Sequence, residues 1–123
     1  THAQDEIFKE SIQFIRDHGD VPFFCYLPVT IPHASMHVPK EWAKPFRKKF
    51  RKFETKYGIY AGPAVTNPPA QFAGMMTLLD HNVGQLLQLL AELGLGFERI
   101  GETFVEADLP HVRMIFQGHR NGS

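Results

Sequence analysis

The 123 residues are one domain's worth of chain, enough to bury about two thirds of the unfolded surface if the chain folds alone. Thirteen basic residues balance thirteen acidic ones, so no net charge draws the chain toward nucleic acid or an anionic membrane. A single cysteine excludes both an internal disulfide and a Cys-rich metal motif, and no apolar run approaches the ~20 residues that a membrane span needs.

The opening THAQDEIFKE has no methionine and lacks the basic-then-apolar layout of a signal peptide, so the chain reads as a piece of something longer. Ile7, Phe8, Ser11, Ile12 and Ile15 recur at the spacing of one helix face and predict a helix from about Ala3 to His18. Thr1 is placed to cap its start, and Gly19 to end it as a left-handed residue. Asp20-Val21-Pro22 then forbids continuation. Phe23 to Leu27 is apolar without alternation, the pattern of a strand buried on both faces of a parallel sheet. Helix, turn and apolar strand together predict an α/β unit.

Next comes the basic segment Lys40 to Lys56, which holds eight of the thirteen Lys and Arg residues. Phe46, Phe50, Phe53 and Tyr57 fall there at helical spacing, so the segment predicts a short amphipathic helix with a solvated basic face. A second long helix is expected from the N-cap Asn67 and Pro68 at its first position to Gly94 at its end. Phe72, Met75, Met76, Leu79, Val83, Leu86, Leu87 and Leu90 form its apolar stripe, which implies core and no cofactor. Val112 to Phe116 has the content of another buried strand, and GHRNG after it reads as a turn. In open α/β sheets ligands bind beyond the carboxyl ends of the strands. His33 and the stretch His119 to Asn121 are therefore expected on the functional edge.

Cys25 lies mid-strand between Phe24 and Tyr26, where burial makes a thiol a small hydrophobe rather than a nucleophile. His33 differs, because it stands in a Pro-flanked turn just past a buried strand. His37 lies four residues on, but the prolines at 32 and 39 leave no helix to align the two as metal ligands.

The stretch PFFCYLPVTIPHASMHVP, followed by PFRKKF and then PPAQFAGMMTLLDHNVGQLLQLLAELGL, resembles the middle of the sulfatase family. In that family a strand of the type PFFLYL leads to a Pro-His loop, and a helix of the type YAAMVxxLDxxVGxxLxxLxxLGL follows. The resemblance runs over about residues 5 to 95. It implies an α/β fold, here part of the α/β/α sandwich of alkaline-phosphatase-like enzymes. It also implies that residues 1–123 are a fragment of one catalytic domain, with 1–95 well matched and 96–123 a divergent tail.

The same resemblance implies hydrolysis of sulfate esters by a formylglycine made within a C/S-x-P-x-R motif, with a divalent cation, expected to be calcium, holding the sulfate. Cys25 opens C-Y-L-P-V, which has the proline one place late and no arginine, so the nucleophile is expected upstream of Thr1 and this chain is expected to be inactive alone. His33 matches the Pro-His histidine that contacts sulfate and serves as general acid toward the leaving oxygen, a role that suits imidazole near neutral pH. Lys40 and Lys44 follow the loop as candidates for attracting an anionic substrate, such as a sulfated carbohydrate. Asn121 and Gly122 match an Asn-Gly step, and Asn121 becomes a candidate metal ligand. Arg120 stands where the family has a ligand Asp, the wrong charge beside a hard cation. Either that ligand is lost or the tail is an altered reading of the coding sequence. The family implies a secreted, periplasmic or lysosomal setting.

Two other readings compete. One is a phosphodiester or phosphonate hydrolase of the same superfamily. The other is a noncatalytic anion-binding module built on Lys40 to Lys56, whose binding would fall steeply with salt. No nucleic-acid motif supports a nucleic-acid partner.

Overall fold

Helix α1 spans Ala3–His18, the range that its apolar spacing predicts. Asp5 and Glu6 lie in its first turn and Arg16 and His18 in its last, charges that complement the helix dipole. The structure, a computed structural model, describes residues 3–33, 36–59, 62–106 and 109–118, so Thr1 lies outside the described residues. Gly19 does not take the left-handed conformation expected of it, since the positive-φ glycines among the described residues are Gly94 and Gly101. Its smallness serves a close approach instead: a Cβ there would stand 3.0 Å from Cδ1 of Leu93.

No strand forms at Phe23 to Leu27, which corrects the reading of a doubly buried strand. The segment is nonetheless patterned with period two. Phe23, Cys25 and Leu27 are half-buried, while Phe24 and Tyr26 are 86% and 77% exposed. Phe23 and Cys25 pack against a cluster of Ile15, Leu89, Leu90 and Leu95. A strand needs a neighbour to hydrogen-bond, and neither two-stranded sheet of the described residues includes this segment. One face therefore finds the core and the other finds water.

The scaffold is helix α3, Pro68–Glu92. Asn67 caps it with φ +51°, its side-chain oxygen accepting from the Ala70 N–H at 3.2 Å, and Leu93 and the left-handed Gly94 follow its end. Its apolar residues divide between two faces. Met75, Leu78, Leu89 and Leu90 are buried, whereas Phe72, Met76, Val83 and Leu87 stay exposed. Half of the predicted stripe thus lacks cover.

Helix α2, Lys40–Lys49, crosses α3 closely because Gly74 has no side chain. A Cβ at Gly74 would lie 2.9 Å from the Ala43 nitrogen, and Ala43 is 2% exposed. The predicted basic helix is shorter than its aromatic spacing suggested. It gives way to a 3-10 turn at Arg51–Phe53, and Tyr57 falls in β1, Tyr57–Gly58. That strand pairs antiparallel with β2, Val65–Thr66.

Beyond α3 the chain makes a hairpin of β3, Leu95–Glu106, and β4, Leu109–Gly118. The strand expected at Val112 to Phe116 lies within β4, but it pairs antiparallel with β3 rather than parallel with the first apolar segment. Register runs from Leu95 opposite Gly118 to Ile100 opposite Arg113, then shifts before Phe104 meets His111, with Gly101 at φ +71° inside the shift. The whole is a mixed α/β structure of three helices and short antiparallel sheets among the described residues. The expected turn from His119 onward lies outside those residues.

Candidate functional site

Two anchors fix the chain just before Pro32 and His33. One is polar: the backbone N–H and the hydroxyl of Thr30 both donate to Gln4 Oε1 at 3.0 Å, and Gln4 is fully buried on α1. The other is apolar, since Ile31 packs with Met75 and Leu78 of α3 and against Met36, Val38 and Trp42. Gln4 falls on the buried face of α1 with Phe8 and Ile15, so its place was readable from helical spacing. Its partner Thr30, 26 residues away, was not.

Past the loop the chain is fixed again. The Trp42 N–H donates to the Pro39 oxygen at 3.0 Å in the first turn of α2, and α2 is held on α3 at Gly74. His33 is thus exposed on a short span between two segments that both rest on α3. Lys40 and Lys44 stand one turn apart on α2, on one face and exposed.

Three of the six remaining cations of the basic segment are engaged. Arg47 pairs with Glu54, whose other oxygen accepts from Asn67 Nδ2 at 2.8 Å. Asn67 Nδ2 also donates to the Phe50 oxygen at 3.1 Å, so the capping residue of α3 also holds the end of α2. Lys49 and Lys52 lie over the rings of Phe50 and Phe53, at 6.0 and 5.0 Å from their centroids. All eight cations of the segment are exposed, as the solvated-face reading expects, and Lys40 and Lys44 are among those that carry no ion pair among the described residues.

Cys25 is a free, half-buried thiol packed against the cluster of Ile15, Leu89, Leu90 and Leu95, where it fills space as a small hydrophobe. Asn121 lies outside the described residues. Among those residues no three His, Cys, Asp or Glu side chains come together. No helix among them is long and apolar enough to cross a membrane.

Neither a curated protein nor a solved structure matches the chain. The family model described as Sulfatase does match it, over residues 1–98, a range that takes in α1, the His33 loop, α2 and α3 and ends early in β3. With that match extending over most of the chain, the protein belongs to the sulfatase family.

Proposed function

We propose that this chain supplies the Pro-His loop of a sulfate-ester hydrolase, with His33 protonating the leaving oxygen and Lys40 and Lys44 drawing in the anionic ester. The observation that carries the reading is the family match across a loop anchored on both sides, by Gln4 and Ile31 before His33 and by α2 after it. An exposed imidazole just past the anchored Thr30 and Ile31 is suited to proton transfer, because it can carry a proton on one ring nitrogen and give it up to a developing oxyanion. Two lysines with no competing carboxylate add positive potential on the neighbouring helix, which suits sulfated carbohydrate as the substrate class.

The 123 residues contain no C/S-x-P-x-R motif, and no three His, Cys, Asp or Glu side chains come together among the described ones. The formylglycine and the cation are therefore proposed to be held by other parts of the protein, and residues 1–123 are proposed to be inactive by themselves. The test uses the complete coding sequence, expressed with a formylglycine-generating enzyme and assayed with a monosaccharide sulfate, whose alkoxide leaving group needs a proton. His33→Ala should lower kcat by about 10²- to 10⁴-fold and remove one limb of the pH profile. Unchanged turnover in His33→Ala would remove the histidine from the mechanism, and faster hydrolysis of the matching phosphate diester would move the protein to another branch of chemistry.

A further inference from the structure

We propose that the groove between α1 and α3 binds uncharged saccharide residues, at a site separate from the His33 loop. A cavity of about 420 Å³ opens there, within the roughly 300–1,000 Å³ typical of small-molecule sites. Asp5, Phe8 and Gln13 of α1 and His81, Asn82 and Gln85 of α3 line it, and α2 adds Trp42. A second cavity of about 270 Å³ shares Ile12 and Gln85 with the first and continues between the same helices to Arg16 and Glu92. Asp5 to Arg16 is about 16 Å of helix at 1.5 Å per residue, the length of a short oligosaccharide.

The chemistry of the walls selects the ligand. Phe8, Leu78 and Leu89 are each 2% exposed and make an apolar floor, while the ring of Trp42 sits 5.2 Å from that of His81 at 47°. Gln13 and Gln85 stand exposed above it. Charges along the groove cancel, Asp5 against Lys9 in the first cavity and Arg16 against Glu92 at 4.0 Å in the second, so no net field favours an ion. Gln13 Nε2 donates to Asp17 Oδ1 at 2.8 Å, which leaves its oxygen and the amide of Gln85 open to a polar ligand. A pyranose offers an apolar C–H face to the floor and the rings, and hydroxyls that both donate and accept to the amides.

Asn82 adds an independent pointer. It is 5% exposed, it lines the cavity, and its Nδ2 is buried without a hydrogen-bond partner. Buried amide donors without an acceptor are exceptions in native folds, and each calls for an explanation. A ligand hydroxyl reached by rotation about the soft χ2 of asparagine provides the acceptor.

Trp42 is the only tryptophan of the chain, so its fluorescence reports on the groove without a label. Maltotriose, cellotriose and chitotriose are titrated into the 123-residue protein. At least one should give a saturable change with a midpoint below about 10 mM. The exposed-site variants His81→Ala and Gln85→Ala, and the buried variant Asn82→Leu, should each weaken it by about tenfold with helix content unchanged. Inorganic sulfate should neither produce the change nor compete. No saturable change with any of the three sugars overturns the proposal, as do equal midpoints in the His81→Ala and Gln85→Ala variants or displacement by sulfate.

Discussion

Asn67 joins three pieces of chain through one amide. Its oxygen caps α3 at the Ala70 N–H, and its nitrogen reaches the Phe50 carbonyl and the Glu54 carboxylate that also pairs with Arg47. Replacing it with alanine removes all three bonds and forces a left-handed φ on a residue that resists it. Asn67→Ala should therefore cost about 2–3 kcal/mol in urea unfolding, more than an isolated cap. Gly74 is the opposite kind of residue, valuable for what it lacks. The atoms that a Cβ would strike belong to the backbone of Trp42 and Ala43 and cannot swing aside, so Gly74→Ala should cost about 1–3 kcal/mol and loosen α2. The capping role of Asn67 was legible from Asn-Pro before a periodic run, but its bonds to Phe50 and Glu54 were not. Local chemistry announces a cap, whereas a partner 13 or 17 residues away depends on how α2 folds back.

Among the elements, α1 was legible from its apolar period and the Asp20-Val21-Pro22 break after it, and α3 from its period, its Asn67 cap and the left-handed Gly94 past its end. The β3–β4 hairpin was half legible. Leu95 and Phe97 share one parity and Ile100 and Phe104 the other, and the register shift at Gly101 is where the pattern slips. The apolar residues of β3 show no steady alternation in the sequence, so only its partner Val112 to Phe116 stood out. What ties the hairpin to the helices is Leu95, 6% exposed and clustered with Ile15, Leu89 and Leu90. Leu95→Ala should cost about 2–4 kcal/mol by thermal or urea unfolding. The Phe23 to Leu27 segment was misread for a related reason. Its sequence is apolar enough for burial on both faces, yet burial also requires a neighbouring strand, which composition cannot supply. The doubly substituted Phe24→Ser, Tyr26→Ser protein should keep the parent unfolding midpoint, because both side chains are exposed, and should self-associate less in sedimentation velocity.

At the scale of the whole molecule, surface area tells the same story. A compact monomer of this size exposes about 6,700 Å² by the scaling of folded proteins, and this chain exposes 9237 Å². Among the described residues the buried apolar side chains fall into two small clusters, Ile15 with Leu89, Leu90 and Leu95, and Ile31 with Met75 and Leu78, while faces of α3 and of the Phe23 to Leu27 segment stay uncovered. The isolated protein should bind a hydrophobic dye in the native buffer, and absence of dye binding would contradict this picture. The hub at Asn67 also bears on how the protein ages in solution. Asparagine deamidates when the backbone nitrogen of the next residue attacks the side-chain amide, and Pro68 has no N–H to do so. The residue that starts α3 therefore also shields the amide that caps it. The Asn121-Gly122 step has no such shield, so on prolonged storage at alkaline pH peptide mass spectra should show Asn121 converted to aspartate while Asn67 stays intact.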